Sequence, residues 1–220
     1  MSEAKVYTAP AMALRTALTL LIFVVLFTGL LAGAYQWTRP AIEASLLAEK
    51  MKFINEVLPA GSYDNELLAD TLSLPPTPEL GLKQPSTVYR ARRGGEPAAL
   101  VLEAVAPDGY SGDIRLVLGI TADGDITGVR VVQHKETPGL GDYIEPGKDK
   151  NKEQPWISQF AGLNYPQVAD AEWKVKKDKG RFDYRSGATV TPRAVVGAVH
   201  KAVRFAVTHR QELFAQEGKP

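Results

Sequence analysis

The stretch that decides the fold is IRLVLGITADGDITGVRVV, at residues 114–132. Two runs dominated by apolar and β-branched residues flank the tetrapeptide ADGD at residues 122–125. An Asp-Gly pair between two such runs is a strong signal for a tight β-hairpin. The acidic residues also suit a calcium loop, but the downstream bidentate acid and the ligand spacing of such a loop are missing. The sequence therefore predicts an antiparallel hairpin.

Two further strands are predicted before this hairpin. Residues 87–92 alternate between apolar and polar side chains, residues 93–96 form a turn, and residues 98–105 return as an apolar strand. The preceding residues, 63–85, are weakly patterned and contain PPTP at 75–78, which is typical of a linker or an extended surface strap. Regular β-structure is therefore expected from about residue 86 onward.

Helical patterns dominate after the hairpin. We expect a short helix at residues 155–160, a strand at 173–177, and a long amphipathic helix from Pro192 to Gln216. A second amphipathic helix is predicted earlier, from Ile42 to Leu58. Strands followed by helices indicate the α+β class, with a twisted antiparallel sheet backed by helices.

The N-terminal part contains an uncharged apolar run at residues 16–35, long enough to cross a bilayer as a helix. A cleaved signal peptide is the alternative, because AGA at 32–34 resembles a cleavage site, but the run is longer than a typical signal-peptide core. Basic residues lie on both sides of the run, so the positive-inside rule does not decide its orientation. We predict an uncleaved transmembrane anchor.

The expected organisation has four parts: a short cytoplasmic tail at 1–12, the anchor at 13–36, a stalk helix and linker at 37–85, and one domain at 86–220. Glu3, Lys5 and Arg15 are the charged residues before Trp37, so of 26 basic and 25 acidic residues, 24 of each follow. This balance predicts no nucleic-acid partner. The sequence has no cysteine, which excludes disulfides and thiolate-ligated iron–sulfur clusters.

The most informative motif is DYRSGATVTP at residues 183–192, which opens the long C-terminal helix. The start of a helix presents free backbone N–H groups and a partial positive charge, which suits a phosphate group. Two arginines, Arg185 and Arg193, flank this point. Because Pro192 favours the first helical position, we expect Thr191 to be the N-cap. The hydroxyl of Thr189 then stays available for a phosphate.

A second motif, ETPGLG at residues 136–141, follows the last strand of the hairpin. Its glycines allow a backbone to lie flat against a ring, and Glu136 and Thr137 offer polar contacts. The nearby His134 is expected to be a surface residue. With three scattered histidines and no cysteine, a metal site is not expected.

Other chemistry is disfavoured for the remaining polar residues. A hydrolase nucleophile at Ser186 is not expected, because the sequence has no G-x-S-x-G elbow and two of its histidines lie on the C-terminal helix. The basic residues between Lys174 and Arg181 are expected to form a solvated strand edge. The alternative for this run is a docking surface for an acidic partner.

Residues 183–189 resemble the D-x-x-S-G-A-T sequence at which a flavin transferase attaches FMN to threonine through a phosphoester bond. ETPGLG resembles a loop of the same FMN-binding domain family. GYSG at 109–112 and WISQF at 156–160 extend the resemblance, which covers the region from Ser86 to the C-terminus. The Rnf-type G-subunit family, whose complexes couple electron flow between ferredoxin and NAD to ion movement, is the nearer match. The C subunit of the sodium-translocating NADH–quinone oxidoreductase is its relative.

The resemblance implies a membrane-anchored electron carrier, and not an independent catalyst, with FMN covalently bound to Thr189. It also implies other membrane subunits, a flavin transferase and membrane lipid as partners, and places the domain on the periplasmic side of a bacterial inner membrane. Two alternatives stay open, the C-type subunit and a cofactor-free membrane-tethered interaction module. The residues expected at the FMN site are Asp183, Ser186, Gly187, Ala188, Thr189, Thr191, Glu136, Thr137, Gly139, Leu140 and Gly141.

Overall fold

The computed structural model describes residues 8–59 and 61–215. Residues 1–7 of the expected tail and Gln216, the predicted end of the last helix, lie outside these ranges. The chain divides into two compact units, Met1–Lys50 and Met51–Pro220.

The first unit consists of the greater part of helix α1, which runs from Ala9 to Val57. Of the helices in the described ranges, it is the one long and apolar enough to cross a membrane, and its residues 9–50 are all exposed. The predicted anchor and the predicted stalk helix belong to this one helix, which continues through Pro40.

The second unit is built on a five-stranded antiparallel sheet whose strands follow one another in chain order. This arrangement confirms the predicted α+β class, and the hairpin at 114–132 forms its fourth and fifth strands. The turn of that hairpin contains Gly124 at φ +89°, and the Thr121 N–H donates to the Asp125 carbonyl at 2.8 Å. The strands are β1 (Thr71–Leu74), β2 (Ser86–Arg93), β3 (Glu96–Gly109), β4 (Gly112–Thr121) and β5 (Ile126–Gln133).

One face of the sheet is covered by the last residues of α1. Ile54 and Val57 are buried there in a small apolar cluster, and the Thr127 hydroxyl donates to the Val57 carbonyl. Gly119 makes this approach possible, because a Cβ at that position would overlap with the Val57 carbonyl. The close contact therefore depends on a glycine near the end of β4.

The main core lies on the other face, beneath helix α2 (Val190–Thr208) and the short helix α3 (Arg210–Phe214). The side chains of Val195, Val199 and Val203 are fully buried at the helical spacing that the sequence predicts. The predicted single helix from Pro192 is wrong in one respect. His209 leaves helical geometry, with φ −101° and ψ 18°, and separates the two helices.

Strand β1 lies within the segment for which the sequence predicts a linker. It pairs with β2, and the compact unit that contains the sheet begins at Met51. Two nearly buried arginines of β2, Arg90 and Arg92, bind the two carboxylate oxygens of Asp70, each at 2.6 Å. These long-range ion pairs hold Asp70, the residue before β1, in place. The weak pattern of residues 63–85 could not predict them, because the arginines lie in another segment.

The predicted strand at 173–177 is wrong. Short 3₁₀ turns occupy Asp170–Glu172 and Lys176–Asp178, and a single bridge joins Val175 to Phe182. The alternating pattern arises because Trp173 and Val175 are buried while Lys174 and Lys176 are exposed. The chain then turns back sharply, so the basic run is an exposed loop and not a strand edge.

Candidate functional site

The two sequence motifs meet around one cavity of about 270 Å³. One motif supplies part of the 136–141 loop, and the other supplies the start of α2. The turn between β3 and β4 adds an aromatic side chain. The lining residues are Tyr110, Glu136, Thr137, Leu140, Gly141, Gly187, Ala188, Thr189, Val190 and Thr191.

Helix α2 begins at Val190, so Thr189 and not Thr191 occupies the N-cap position. The Thr189 side chain is half-buried and makes no capping hydrogen bond. The predicted N-cap at Thr191 is therefore wrong. Pro192 does not have to be the first helical residue, because the N–H groups of the whole first turn lack partners within the helix.

Glu136 joins the three segments that surround the cavity. Its side chain is nearly buried, at 4% exposure. One carboxylate oxygen accepts the Ser111 N–H at 3.0 Å and the other accepts the hydroxyl of Thr191, which is 1% exposed. Gly141 lies against this junction, because a Cβ there would be 2.7 Å from the Glu136 carboxylate. The junction holds the loop, the β3–β4 turn and the helix start together.

His134 supports the same loop from behind. Its side chain is 4% exposed, so the expectation of a surface residue is wrong. Nδ1 accepts the Glu136 N–H at 2.9 Å, which assigns the proton of the neutral ring to Nε2. Nε2 lies 2.6 Å from the Glu145 carboxylate. His134 thus fixes the backbone at the first residue of the motif.

The 136–141 loop is a tight turn closed by its own backbone. The N–H groups of Leu140 and Gly141 both donate to the Thr137 carbonyl, at 3.1 and 3.0 Å. Gly139 adopts φ +76° and its N–H donates to the Asp142 side chain, so it shapes the turn without lining the cavity. Leu140 remains 54% exposed at the cavity.

The predicted arginines have other partners. Arg185 pairs with the buried carboxylate of Asp149 and stacks over the Tyr143 ring, with 4.4 Å between the guanidinium carbon and the ring centroid. Arg193 binds both carboxylate oxygens of Asp178, at 2.5 and 2.6 Å. Neither arginine lines the cavity. The cavity wall therefore contains the start of α2 and no guanidinium group.

The cluster around Arg185 supports the turn that carries Thr189. The Tyr143 hydroxyl donates to the Ala188 carbonyl at 3.4 Å. Burial raises the pKa of Tyr143 to about 12. Burial alone acts to raise the pKa of Asp149, but hydrogen bonds from the Trp156 and Asn151 N–H groups, together with Arg185, outweigh it and lower that pKa. Tyr143 and Asp149 lie far from Arg185 in the sequence, so no local motif predicts that this cluster stabilises the turn.

Several predicted site residues lie outside the cavity. Asp183 is exposed and pairs with Lys176 at 2.5 Å, while its backbone N–H and carbonyl bond to the side chains of Gln159 and Trp156. Ser186 is exposed and does not line the cavity.

Tyr110 lines the cavity although it was not among the expected site residues. Its side chain is 70% exposed. The sequence signal that points to it is its place in GYSG at 109–112, a segment that carries part of the family resemblance.

Comparisons with known proteins identify both parts of the chain. A family model described as FMN-binding domain matches residues 109–204, and one described as RnfG N-terminal region matches residues 3–57. Two relatives are both named as the G subunit of an ion-translocating oxidoreductase complex. The Pseudomonas aeruginosa protein is 48% identical over 204 residues, 93% of each chain, and that of Shewanella oneidensis is 40% identical over 203 residues, 92% of this chain and 93% of its own.

Among solved structures, that of Shewanella oneidensis NqrC is similar at a TM-score of 0.44 and 23% identity. The similarity covers 69% of this chain and 73% of that one.

Proposed function

Because this chain belongs to the G-subunit family of ion-translocating oxidoreductase complexes, we propose that it carries electrons on an FMN attached to Thr189 through a phosphoester bond. The G-subunit matches at both ends of the chain favour this family over the related C-type subunit. The chain is anchored in a membrane by α1. The observation that carries the proposal is the half-buried, uncapped hydroxyl of Thr189 inside the cavity that the two motifs form.

The residues at this position fit a phosphoester. At the start of α2 the N–H groups of Val190 and Thr191 have no acceptor within the helix and lie at its positive end, whereas Pro192 has no N–H and the Arg193 N–H donates to the Thr189 carbonyl at 3.3 Å. A phosphodiester keeps one negative charge, and such a placement stabilises it by roughly 0.3–2 kcal/mol. Since Arg185 and Arg193 are paired elsewhere, the helix start is the electrostatic partner that the cavity offers.

The cavity walls fit a flat, partly apolar ring system. Tyr110 and Leu140 present large exposed side chains, and Glu136 and Thr137 add polar groups among them. FMN supplies the reversible uptake of electrons, whereas the protein binds, orients and shields it. Thr189 acts in this proposal as the attachment point, and not as an acid or base.

Maturation and location form part of the same proposal. A half-buried hydroxyl at a helix start is reachable by a second enzyme, which supports flavin transfer by a dedicated transferase. Following the family resemblance, we place the domain on the periplasmic side of a bacterial inner membrane, in contact with other membrane subunits and lipid. A cofactor-free interaction module is the competing proposal.

Mass spectrometry of the tryptic peptide 186–193 tests the attachment. The protein is produced with a flavin transferase, and fragment ions between Thr189 and Thr191 locate the added FMN mass. We expect the mass on Thr189, and its loss in Thr189→Val. Thr191→Val is the matched control. It removes the hydroxyl of the other threonine, two residues away, and should keep the flavin. Flavin on Thr191 would reverse the assignment, and an unmodified peptide would support the cofactor-free module.

A further inference from the structure

A second, larger cavity of about 420 Å³ forms a groove beside the Thr189 cavity. Its residues come from the loop before β2, from β3, from the β3–β4 turn and the first residues of β4, and from the end of β5 and the residues just after it. We call it the basic groove. It is lined by Gly81, Leu82, Lys83, Gln84, Pro85, Val105, Ser111, Gly112, Asp113, Arg115, Gln133 and Lys135.

Three of the four charged residues in the basic groove are cations. Lys83, Arg115 and Lys135 face a single acid, Asp113. Arg115 reaches Glu103 at 3.4 Å, whereas no carboxylate in residues 8–59 and 61–215 lies within ion-pair distance of the Lys83 or Lys135 ammonium groups. The sequence after residue 36 has equal numbers of basic and acidic residues. Cations therefore outnumber acids in the groove, and Lys83 and Lys135 are the two that form no ion pair within the described residues.

The shape of the groove is set by backbone packing. At Gly81 the chain adopts φ +70°, and a Cβ there would overlap with the Val105 carbonyl. The loop that carries Lys83 can therefore lie close against β3 only with glycine at this position. This close packing holds one lysine of the groove at a defined place on the domain.

The basic groove and the Thr189 cavity share a wall. Tyr110 lines the cavity and its neighbour Ser111 lines the groove; likewise Glu136 lines the cavity and its neighbour Lys135 lines the groove. The Ser111 N–H donates to the Glu136 carboxylate within this wall. A partner seated in the groove is separated from the cavity by a single layer of chain.

We propose that the basic groove docks an acidic segment of another protein subunit of the complex. The proposal rests on the proposed function, since the adjacent cavity is the FMN site. Complementary charge steers association and fixes the orientation of a partner. A partner docked here would lie beside the flavin, as electron transfer requires.

The basic loop at 174–181 is the weaker candidate for this role. One of its cations is satisfied within the domain, because Lys176 pairs with Asp183 at 2.5 Å. None of its residues lines the basic groove or the Thr189 cavity. It carries exposed lysines of the same type, so Lys177 and Lys179 serve as matched controls.

Zero-length carbodiimide crosslinking of the purified complex tests the docking, because it joins an ammonium group to a carboxylate only when the two are in contact. We expect crosslinked peptides that join Lys83 or Lys135 to an Asp or Glu of another subunit, and their loss at high salt. We expect no such peptides from Lys177 or Lys179. Lys83→Glu with Lys135→Glu should weaken retention of the subunit at least roughly tenfold.

Charge-retaining variants keep the test decisive. Lys83→Arg with Lys135→Arg should preserve retention of the subunit while abolishing the crosslink, because guanidinium groups do not react in this way. Absence of intersubunit crosslinks from both lysines, or equal crosslinking from Lys177 and Lys179, would overturn the proposal. So would charge-dependent binding of the protein to anionic phospholipid vesicles in place of the subunit crosslinks.

The flavin content of the same samples separates the two proposals. If no intersubunit crosslinks form but FMN is found on peptide 186–193, only the docking proposal is contradicted. An unmodified peptide removes the proposed function.

Discussion

The exposed turn that carries Thr189 and the buried junction at Thr191 lie two residues apart and have opposite surroundings. The Thr189 hydroxyl faces a cavity and caps nothing, whereas the Thr191 hydroxyl is enclosed and bonded to Glu136. The two threonines at one helix start therefore differ in role: the Thr189 hydroxyl is accessible from the cavity, and the Thr191 hydroxyl stabilises the structure. The difference comes from which side of the helix start faces Glu136.

The largest effect on stability is expected from removing the shared partner of this junction. Glu136→Ala leaves the buried Thr191 hydroxyl and the partly buried Ser111 N–H without their acceptor. Because each unsatisfied buried group costs about 1–3 kcal/mol, we expect a loss of about 2–4 kcal/mol in the free energy of unfolding. Urea denaturation of the chain lacking residues 1–50 measures it. A change below about 0.5 kcal/mol would show that Glu136 does not hold the junction.

A smaller loss is expected from the hydroxyl itself. Thr191→Val should cost about 1–3 kcal/mol, because the buried Glu136 carboxylate loses a donor. Thr189→Val, its matched control, should stay within about 0.5 kcal/mol because that hydroxyl makes no capping bond. The same denaturation experiment compares the two. Equal losses would remove the distinction between the exposed turn and the buried junction.

Gly139→Val tests the loop with a smaller effect. The φ of +76° at this position is unfavourable for a β-branched residue, so we expect a cost of about 1–2 kcal/mol. Because Thr189 stays accessible, FMN attachment should continue while the visible spectrum and reduction potential of the flavin change. Gly147→Val is the control, because Gly147 does not have a positive φ and lies outside both cavities. An unchanged potential in Gly139→Val would make the loop an ordinary surface turn.

The smallest expected effect is on how the stability of the protein depends on pH. The pKa of Asp149 is lower in the folded protein than its ordinary value near 4. A lowered pKa contributes stability that is present above the unfolded value and is lost as pH falls through the folded value. Asp149→Asn should therefore be less stable than the wild type at neutral pH, with a gap that narrows below about pH 4. Thermal unfolding across pH 2–7 measures the gap, and a constant gap would contradict the assignment.

The regular elements could be predicted from the sequence because their signals are local. The hairpin at 114–132 follows from two apolar, β-branched runs around an Asp-Gly turn, and the buried valines of α2 follow from helical spacing. The false strand at 173–177 shows the limit of such patterns. Burial of Trp173 and Val175 produces the same alternation as a strand, although the chain is folded into turns there.

The candidate site was predicted in part. The sequence indicated that the segments 136–141 and 183–191 carry the function, and the structure brings both to one cavity. It did not indicate which of their residues line that cavity, since Asp183, Ser186 and Gly139 lie outside it. The partners of Arg185 and Arg193 lie in other segments, so no local motif contains them.

The sequence by itself determined the elements, the apolar helix and the two motifs, because each depends on residues a few positions apart. The tertiary structure alone decided which threonine hydroxyl is accessible, which arginines form ion pairs and which lysines beside the cavity form none. Those properties depend on side chains that meet across the sheet and helices, at a separation of 55 residues in the case of Glu136 and Thr191. These tertiary contacts, and not the local sequence pattern, determine which side chains are buried and which hydrogen bonds they form.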